Sequence, residues 1–168
     1  MSFFYSTSDD EDPKRAARRP MLAFILVTLA VGAGASVFTE PSIPTWYAGL
    51  NHPAITPPNW IFPWVWTTLF IVMAVAAWRV WRVVGLRSIE MAVYALQLAL
   101  NFGWSLIFFS LHQIGAAFAE IAVLDAAILT TTLLFFRRDR LAGLLFLPYL
   151  GWTLFASLLT YDFLIGNP

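Results

Sequence analysis

The chain has 168 residues, of which 60% are apolar and 12% charged, and its mean hydropathy is +0.72, whereas a soluble domain carries roughly 25% charged residues. That balance excludes a water-soluble enzyme domain, a nucleic-acid-binding module and a disordered chain. The lack of cysteine excludes disulfides, thiolate metal centres and thiolate-ligated haem, and a net charge of zero moves the useful signal from the sum of the charges to their positions.

Residues 1–20 are polar, with an acidic run (Asp9, Asp10, Glu11, Asp12) followed by Lys14, Arg15, Arg18 and Arg19; they read as a disordered cytoplasmic tail ending in a basic flank. The first apolar run, 21–38, has the basic region and the small residues Ala33, Gly34 and Ala35 of a secretory signal peptide, but it is longer than a signal core. A membrane helix is the better reading, since a span needs about 20 apolar residues. Gly32, Gly34 and Ser36 then allow close helix packing. Residues 39–58 form the longest connection and hold Pro41, Pro44, Pro53, Pro57 and Pro58; proline fixes φ and removes a donor, so this is a stiff, irregular loop. Trp46, Trp60, Trp64 and Trp66 fall in or just after it.

A second helix is expected over 59–82, with Pro63 tolerated in its first turns. A third runs over 88–110, opened by Ser88 as an N-cap, and a fourth over 114–136 after a tight connection at His112. A fifth spans 141–165 with Pro148 inside it. The expected class is all-α: a polytopic five-helix transmembrane bundle, 21–168, with no repeat of fixed period and so no inverted-repeat transporter architecture. The ten basic residues gather in three clusters: Lys14 to Arg19; Arg79, Arg82 and Arg87; and Arg137, Arg138 and Arg140. These are alternate connections, the positive-inside pattern for an odd number of spans, with the N-terminus cytoplasmic and the C-terminus outside. Which membrane holds the protein is not written in the sequence.

Trp78 and Trp81, beside Arg79 and Arg82, read as interfacial belt residues. Trp66, Trp104 and Trp152 fall inside predicted spans, where they serve either as walls for a planar apolar ligand or as helix packing. Asn101 and Asp125 fall near the bilayer midplane and Glu120 nearer the outer face; intramembrane polar groups are functional candidates by default, although for Asn101 interhelical bonding serves as well as ligand contact. Five residues separate Glu120 from Asp125, about 140° of helix rotation, which argues against a proton relay between them. His52 and His112 lie in loops, a setting more typical of solvated side chains than of axial haem ligands. No nucleophile with a nearby base, metal-ligand cluster or phosphate loop is present, which argues against a hydrolase or transferase.

Taken together, Trp46-Tyr47, Leu50, Pro53, Pro57-Pro58, Phe62, Val65-Trp66, Leu100-Asn101 with Trp104 and Phe108-Phe109, and Pro148-Tyr149 with Trp152 and Phe155-Ala156 resemble the tryptophan-rich sensory protein family, also called translocator protein or peripheral benzodiazepine receptor. The resemblance covers about residues 21–168. It implies a five-helix bundle, commonly a homodimer, that takes porphyrins and haem-related tetrapyrroles as ligands and requires no resident cofactor or metal. It also implies a cavity under the first loop lined by Tyr47, Pro57, Phe62, Trp66, Phe70, Asn101, Ser105, Phe108, Trp152 and Ala156. In some members the tryptophans matching Trp66 and Trp152 are implicated in light-dependent oxidative breakdown of protoporphyrin, so these two are the candidate catalytic groups. The chain departs from the family at His52, where lysine is usual, at Ile55, where a loop tryptophan is usual, and at Thr160, where asparagine is usual. After Tyr161 no Lys or Arg follows, so the sterol-recognition pattern is not met.

Overall fold

The computed structural model describes the backbone of residues 13–168 and the side chains of 19–168. Five α-helices run through the described residues: α1 (Pro13–Thr39), α2 (Ile61–Val84), α3 (Ile89–Ser105), α4 (Ile114–Arg138) and α5 (Arg140–Gly166). Each is long and apolar enough to cross a membrane, and together they make an integral membrane bundle. Between α1 and α2 lie two short 3₁₀ turns, Glu40–Ser42 and Tyr47–Gly49, in an otherwise irregular lid. Helix α1 begins eight residues before the expected position, so that 13–20 belong to it rather than to a tail; residues 1–12, the rest of that expected tail, lie outside the described residues. Alanine, lysine and arginine are good helix formers, which is why a polar flank extends the helix.

Local chemistry sets the other boundaries. Pro63 occupies the first turn of α2, where its missing donor has no intrahelical partner to lose. Helix α2 ends at Gly85, whose φ of 76° suits a residue without a Cβ and whose N–H donates to Trp81 O at 2.8 Å. Ser88 caps α3, its Oγ accepting from Met91 N at 3.3 Å. The end of α3 widens into a π turn, Leu106–Ser110, and the chain reverses at His112, which stands at φ 56°. Pro148 sits inside α5 without breaking it.

Asp139 joins α4 to α5 and ties both to α2. Its Oδ1 accepts from the N–H groups of Leu141 (2.9 Å) and Ala142 (3.1 Å), and its Oδ2 pairs with Arg79 at 2.8 Å. Burial works to raise its pKa, but the Ala142 N–H and the Arg79 guanidinium outweigh that effect and hold the carboxyl below the usual range. A depressed carboxylate stabilises above its unfolded pKa of about 4 and loses that contribution as pH falls through the folded value. Asp139→Ala is therefore expected to lose about 1–2 kcal/mol of stability at neutral pH, with a gap to the natural protein that narrows in acid; unfolding in detergent at both pH values measures it.

The main core lies toward the arginine-bearing end, where Met73, Ala77 and Val80 of α2 meet Tyr94, Ile128, Phe135 and Phe146. A smaller cluster of Tyr47, Phe108, Ile114, Ala117 and Phe163 sits under the lid. Helix α4 packs behind α3 and α5, leaving α1, α2, α3 and α5 to enclose the space beneath the lid.

Candidate functional site

Helical periodicity builds the first wall. Phe62, Trp66 and Phe70 recur every four residues on α2 and face a cavity of about 500 Å³, within the roughly 300–1,000 Å³ of small-molecule sites. Trp152 of α5 packs beside them, 5.9 Å from Phe62 and 6.5 Å from Trp66 between ring centroids, nearly perpendicular to the latter at 88°. Asn101, Ser105 and Phe108 enter from α3, Ala156 from α5 and Tyr47 from the lid. Nine of the ten residues expected at a ligand site thus border one cavity.

Pro57 is the exception. It lines a separate shallow groove with Ile61, Val65, Leu69, Pro148, Gly151, Trp152 and Phe155. Pro57 precedes α2 in the irregular end of the lid and meets the row of Ile61, Val65 and Leu69, one residue out of step with Phe62, Trp66 and Phe70. Ile55, the position without the usual ring, is 50% exposed and borders neither space. Its substitution alters the outer surface of the lid and leaves the cavity wall intact. Thr160 does line the cavity, its hydroxyl donating to Ala156 O at 2.8 Å.

Sequence reasoning misses the α1 wall. Leu29, Gly32, Ala33, Ser36 and Thr39 border the cavity, and such small residues carry no chemical signal beyond close packing. Gly32 is the tightest point: a Cβ built there would lie 2.2 Å from Phe70 Cε2. Asn59, Leu159 and Phe163 are further lining residues, together with Trp104, a wall candidate already marked by its place inside a predicted span.

The lid is held by several independent ties. Tyr47 is buried, packed on Phe163 (5.5 Å) and Phe109 (5.7 Å), and burial raises its pKa, keeping the phenol neutral. His52 Nε2 meets Tyr47 O at 3.0 Å, and His112 stacks on Trp46 at 4.3 Å. Both histidines therefore order the lid. At its far edge Asn51 and Asn167 bond reciprocally: Asn51 N donates to Asn167 Oδ1 at 2.8 Å, Asn167 Nδ2 donates to Asn51 O at 3.3 Å, and Asn51 Nδ2 donates to Gly166 O at 2.9 Å.

The remaining polar candidates separate cleanly. Asn101 Nδ2 donates to Tyr149 Oη at 3.1 Å, and that hydroxyl donates to Gln97 Oε1 at 2.9 Å, so Asn101 both bridges helices and borders the cavity. Ser157 Oγ donates to Asp125 Oδ2 at 2.6 Å. Both Glu120 oxygens and Asp125 Oδ1 are buried without a partner among the described residues, and neither residue lines the cavity. Trp78 lies under the Arg82 guanidinium at 4.9 Å, while Trp60 and Trp64 are exposed as interfacial rings are. No group of three or more potential metal ligands occurs among the described residues.

Comparison with known proteins gives the following matches. The model of the TspO/MBR family matches residues 24–165. A tryptophan-rich protein TspO of Archaeoglobus fulgidus is 39% identical over 148 residues, covering 88% of this chain and 96% of its own. Another of that name from Chlorobaculum tepidum is 40% identical over 144 residues, covering 83% and 90%. The human translocator protein is 36% identical over 120 residues, 69% of this chain and 71% of its own.

Proposed function

The chain belongs to the TspO/MBR family, and from that premise we propose that it is a membrane receptor or carrier that binds porphyrins and related tetrapyrroles in the aromatic cavity beneath its lid. The observation that carries this reading is the pair of indoles, Trp66 and Trp152, set edge to face at 6.5 Å in one wall with Phe62 and Phe70 on the flanking turns of α2. A flat conjugated macrocycle gains about 0.5–1.5 kcal/mol from each ring it stacks on, beyond the apolar area it buries. The Nε1 groups of Trp104 and Trp152 are buried without an acceptor among the described residues, and a ligand carrying acceptors would offer them partners after small ring movements. Sensing and transport both require reversible capture, and a lid held by a few hydrogen bonds and ring contacts is suited to open and close.

We also propose that the N-terminus is cytoplasmic and the C-terminus outside, on the alternation of the arginine clusters. The lid then faces the outer side.

The test is titration of the full chain in lipid nanodiscs with protoporphyrin IX, followed by the shift of its main absorption band. A saturable shift near one ligand per cavity is expected. A signal that only tracks partitioning into empty nanodiscs would overturn the reading.

The same pair of indoles favours a second reading, in which the bound porphyrin is the photosensitiser, dioxygen the oxidant, and Trp66 and Trp152 the redox-active side chains. Illuminating the complex separates the two: a carrier bleaches its ligand no faster than detergent does, whereas the enzyme yields a new absorbing product.

A further inference from the structure

The two halves of the lid are held differently. The first half is rooted in the bundle: it continues α1, Ser42 Oγ donates to Phe109 O, Trp46 stacks on His112, and Tyr47 packs on Phe109 and Phe163. In residues 50–60 the fastening is narrower. Apart from the turn at Pro58 that leads into α2, every hydrogen bond joining this segment to the helices, among the described residues, runs from Asn51 to the end of α5. Pro53, Pro57 and Pro58 fix φ along the segment, so it is stiff and its one polar fastening governs it as a unit.

That fastening is built as a peptide pairing would be. The side-chain amide of Asn167 engages both main-chain groups of Asn51, its Oδ1 accepting from Asn51 N and its Nδ2 donating to Asn51 O. Asn51 Nδ2 returns a bond to Gly166 O, one of the carbonyls that a helix end leaves without an intrahelical partner. Asn167 Nδ2 also donates to Phe163 O at 3.0 Å, which ties the same amide to the last turn of α5. Phe163 meets Tyr47 of the lid at 5.5 Å, and both rings border the cavity. Asn51 and Asn167 do not border it: they hold the cover without touching its contents.

We infer that Asn51 and Asn167 form a latch, that residues 50–60 are the flap it closes, and that breaking the latch lets the ligand enter and leave. The inference rests on the tetrapyrrole reading above and adds to it the step that limits exchange, since lid opening and not binding itself sets many such rates. A latch that does not touch the ligand changes the ease of opening equally with the cavity empty or filled. Association and dissociation therefore change by the same factor, and the dissociation constant stays nearly constant. The bonds lie at the surface, where water competes for them, so losing one changes the rates by about threefold and losing two by up to about tenfold.

The chain has no cysteine, so the flap can be locked by one engineered disulfide. A Cβ built on Gly166 would lie 4.0 Å from Asn51 Cβ, inside the range of about 3.5–4.5 Å that a disulfide spans. The experiment measures association and dissociation rates of protoporphyrin IX by stopped flow, with the full chain in nanodiscs, for the Asn51→Cys, Gly166→Cys pair oxidised and reduced, and for Asn167→Ala and Asn51→Ala. Oxidation is expected to slow both rates about tenfold or more, reversibly with reductant. Asn167→Ala, which removes two of the bonds to Asn51, should quicken both, and Asn51→Ala, which removes only the bond to Gly166 O, should do so less. Failure of the cysteine pair to oxidise, or saturable binding with rates that the disulfide leaves within about twofold, would overturn the latch and leave the tetrapyrrole reading standing. Absence of saturable binding in every form, the natural chain included, would overturn both.

Discussion

Gly32→Ala is expected to weaken porphyrin binding by about tenfold to a hundredfold while the helix bundle still forms. The added Cβ would fall 2.2 Å from Phe70 Cε2 and 2.5 Å from Cδ2, closer than any side chain tolerates. Phe70 is only 5% exposed and leans on Trp66 at 5.6 Å, with the buried Leu69 and Met73 beside it on α2. Gly32, Phe70 and Trp66 all border the cavity, so a ring displaced by the new Cβ is expected to move into that space. Overpacking of this kind costs about 1–3 kcal/mol; here it falls on the ligand's space, and each 1.4 kcal/mol is about a factor of ten in affinity. Gly34→Ala is the control. Its Cβ would meet Phe102 at 3.2 Å, a contact relieved by a small shift of a ring outside the cavity, so binding should change less than about threefold. Titration of both variants beside their thermal unfolding decides the matter: equal affinities would show that α1 is not a wall of the binding site.

Tyr149→Phe should produce the largest loss of stability among single-atom deletions, about 2 kcal/mol. The hydroxyl of Tyr149 is the centre of a buried chain, donating to Gln97 and accepting from Asn101, and the three residues are 1%, 0% and 5% exposed. Removing it strands an amide oxygen and an amide N–H between α3 and α5. An unsatisfied buried group costs about 1–3 kcal/mol, whereas interhelical hydrogen bonds in membranes average about 0.6 kcal/mol each; two lost bonds with little room to relax fall between these limits. Gln97 keeps only a long contact from its Nε2 to Met73 Sδ at 3.9 Å. Tyr161→Phe, at a hydroxyl on a 46% exposed ring, should cost almost nothing. Unfolding by denaturing detergent measures both, and a loss below about 0.5 kcal/mol for Tyr149→Phe would mean that this chain does not fasten α3 to α5.

Much of this architecture is legible in the sequence, because membrane physics writes in long strokes. Apolar runs and the positions of the arginine clusters define five spans, and, once the π turn 106–110 is counted with α3, every boundary but one falls within two residues of its expected place. The exception is the start of α1, where hydropathy stops reporting helix while helix propensity continues. The aromatic face of α2 is equally legible, since rings at 62, 66 and 70 share one side of a helix. Pro57 borders the outer groove instead of the cavity, which the sequence does not foretell because a loop residue has no period of its own. The α1 wall is hidden for a different reason. Glycine, alanine and serine shape a cavity by what they leave out. Asn101 is a case in which both readings hold at once.

The most direct measurement is quenching of intrinsic tryptophan fluorescence by protoporphyrin IX in nanodiscs, for the natural chain and for the Trp66→Phe, Trp152→Phe double variant. With the ligand lying against both indoles, quenching should saturate in the natural protein, and the variant should lose the greater part of its amplitude and bind about tenfold or more weakly, one stacked and one edge-on contact having been reduced. Quenching that never saturates, or that is equal in amplitude and midpoint in the two proteins, would contradict a tetrapyrrole site between α2 and α5.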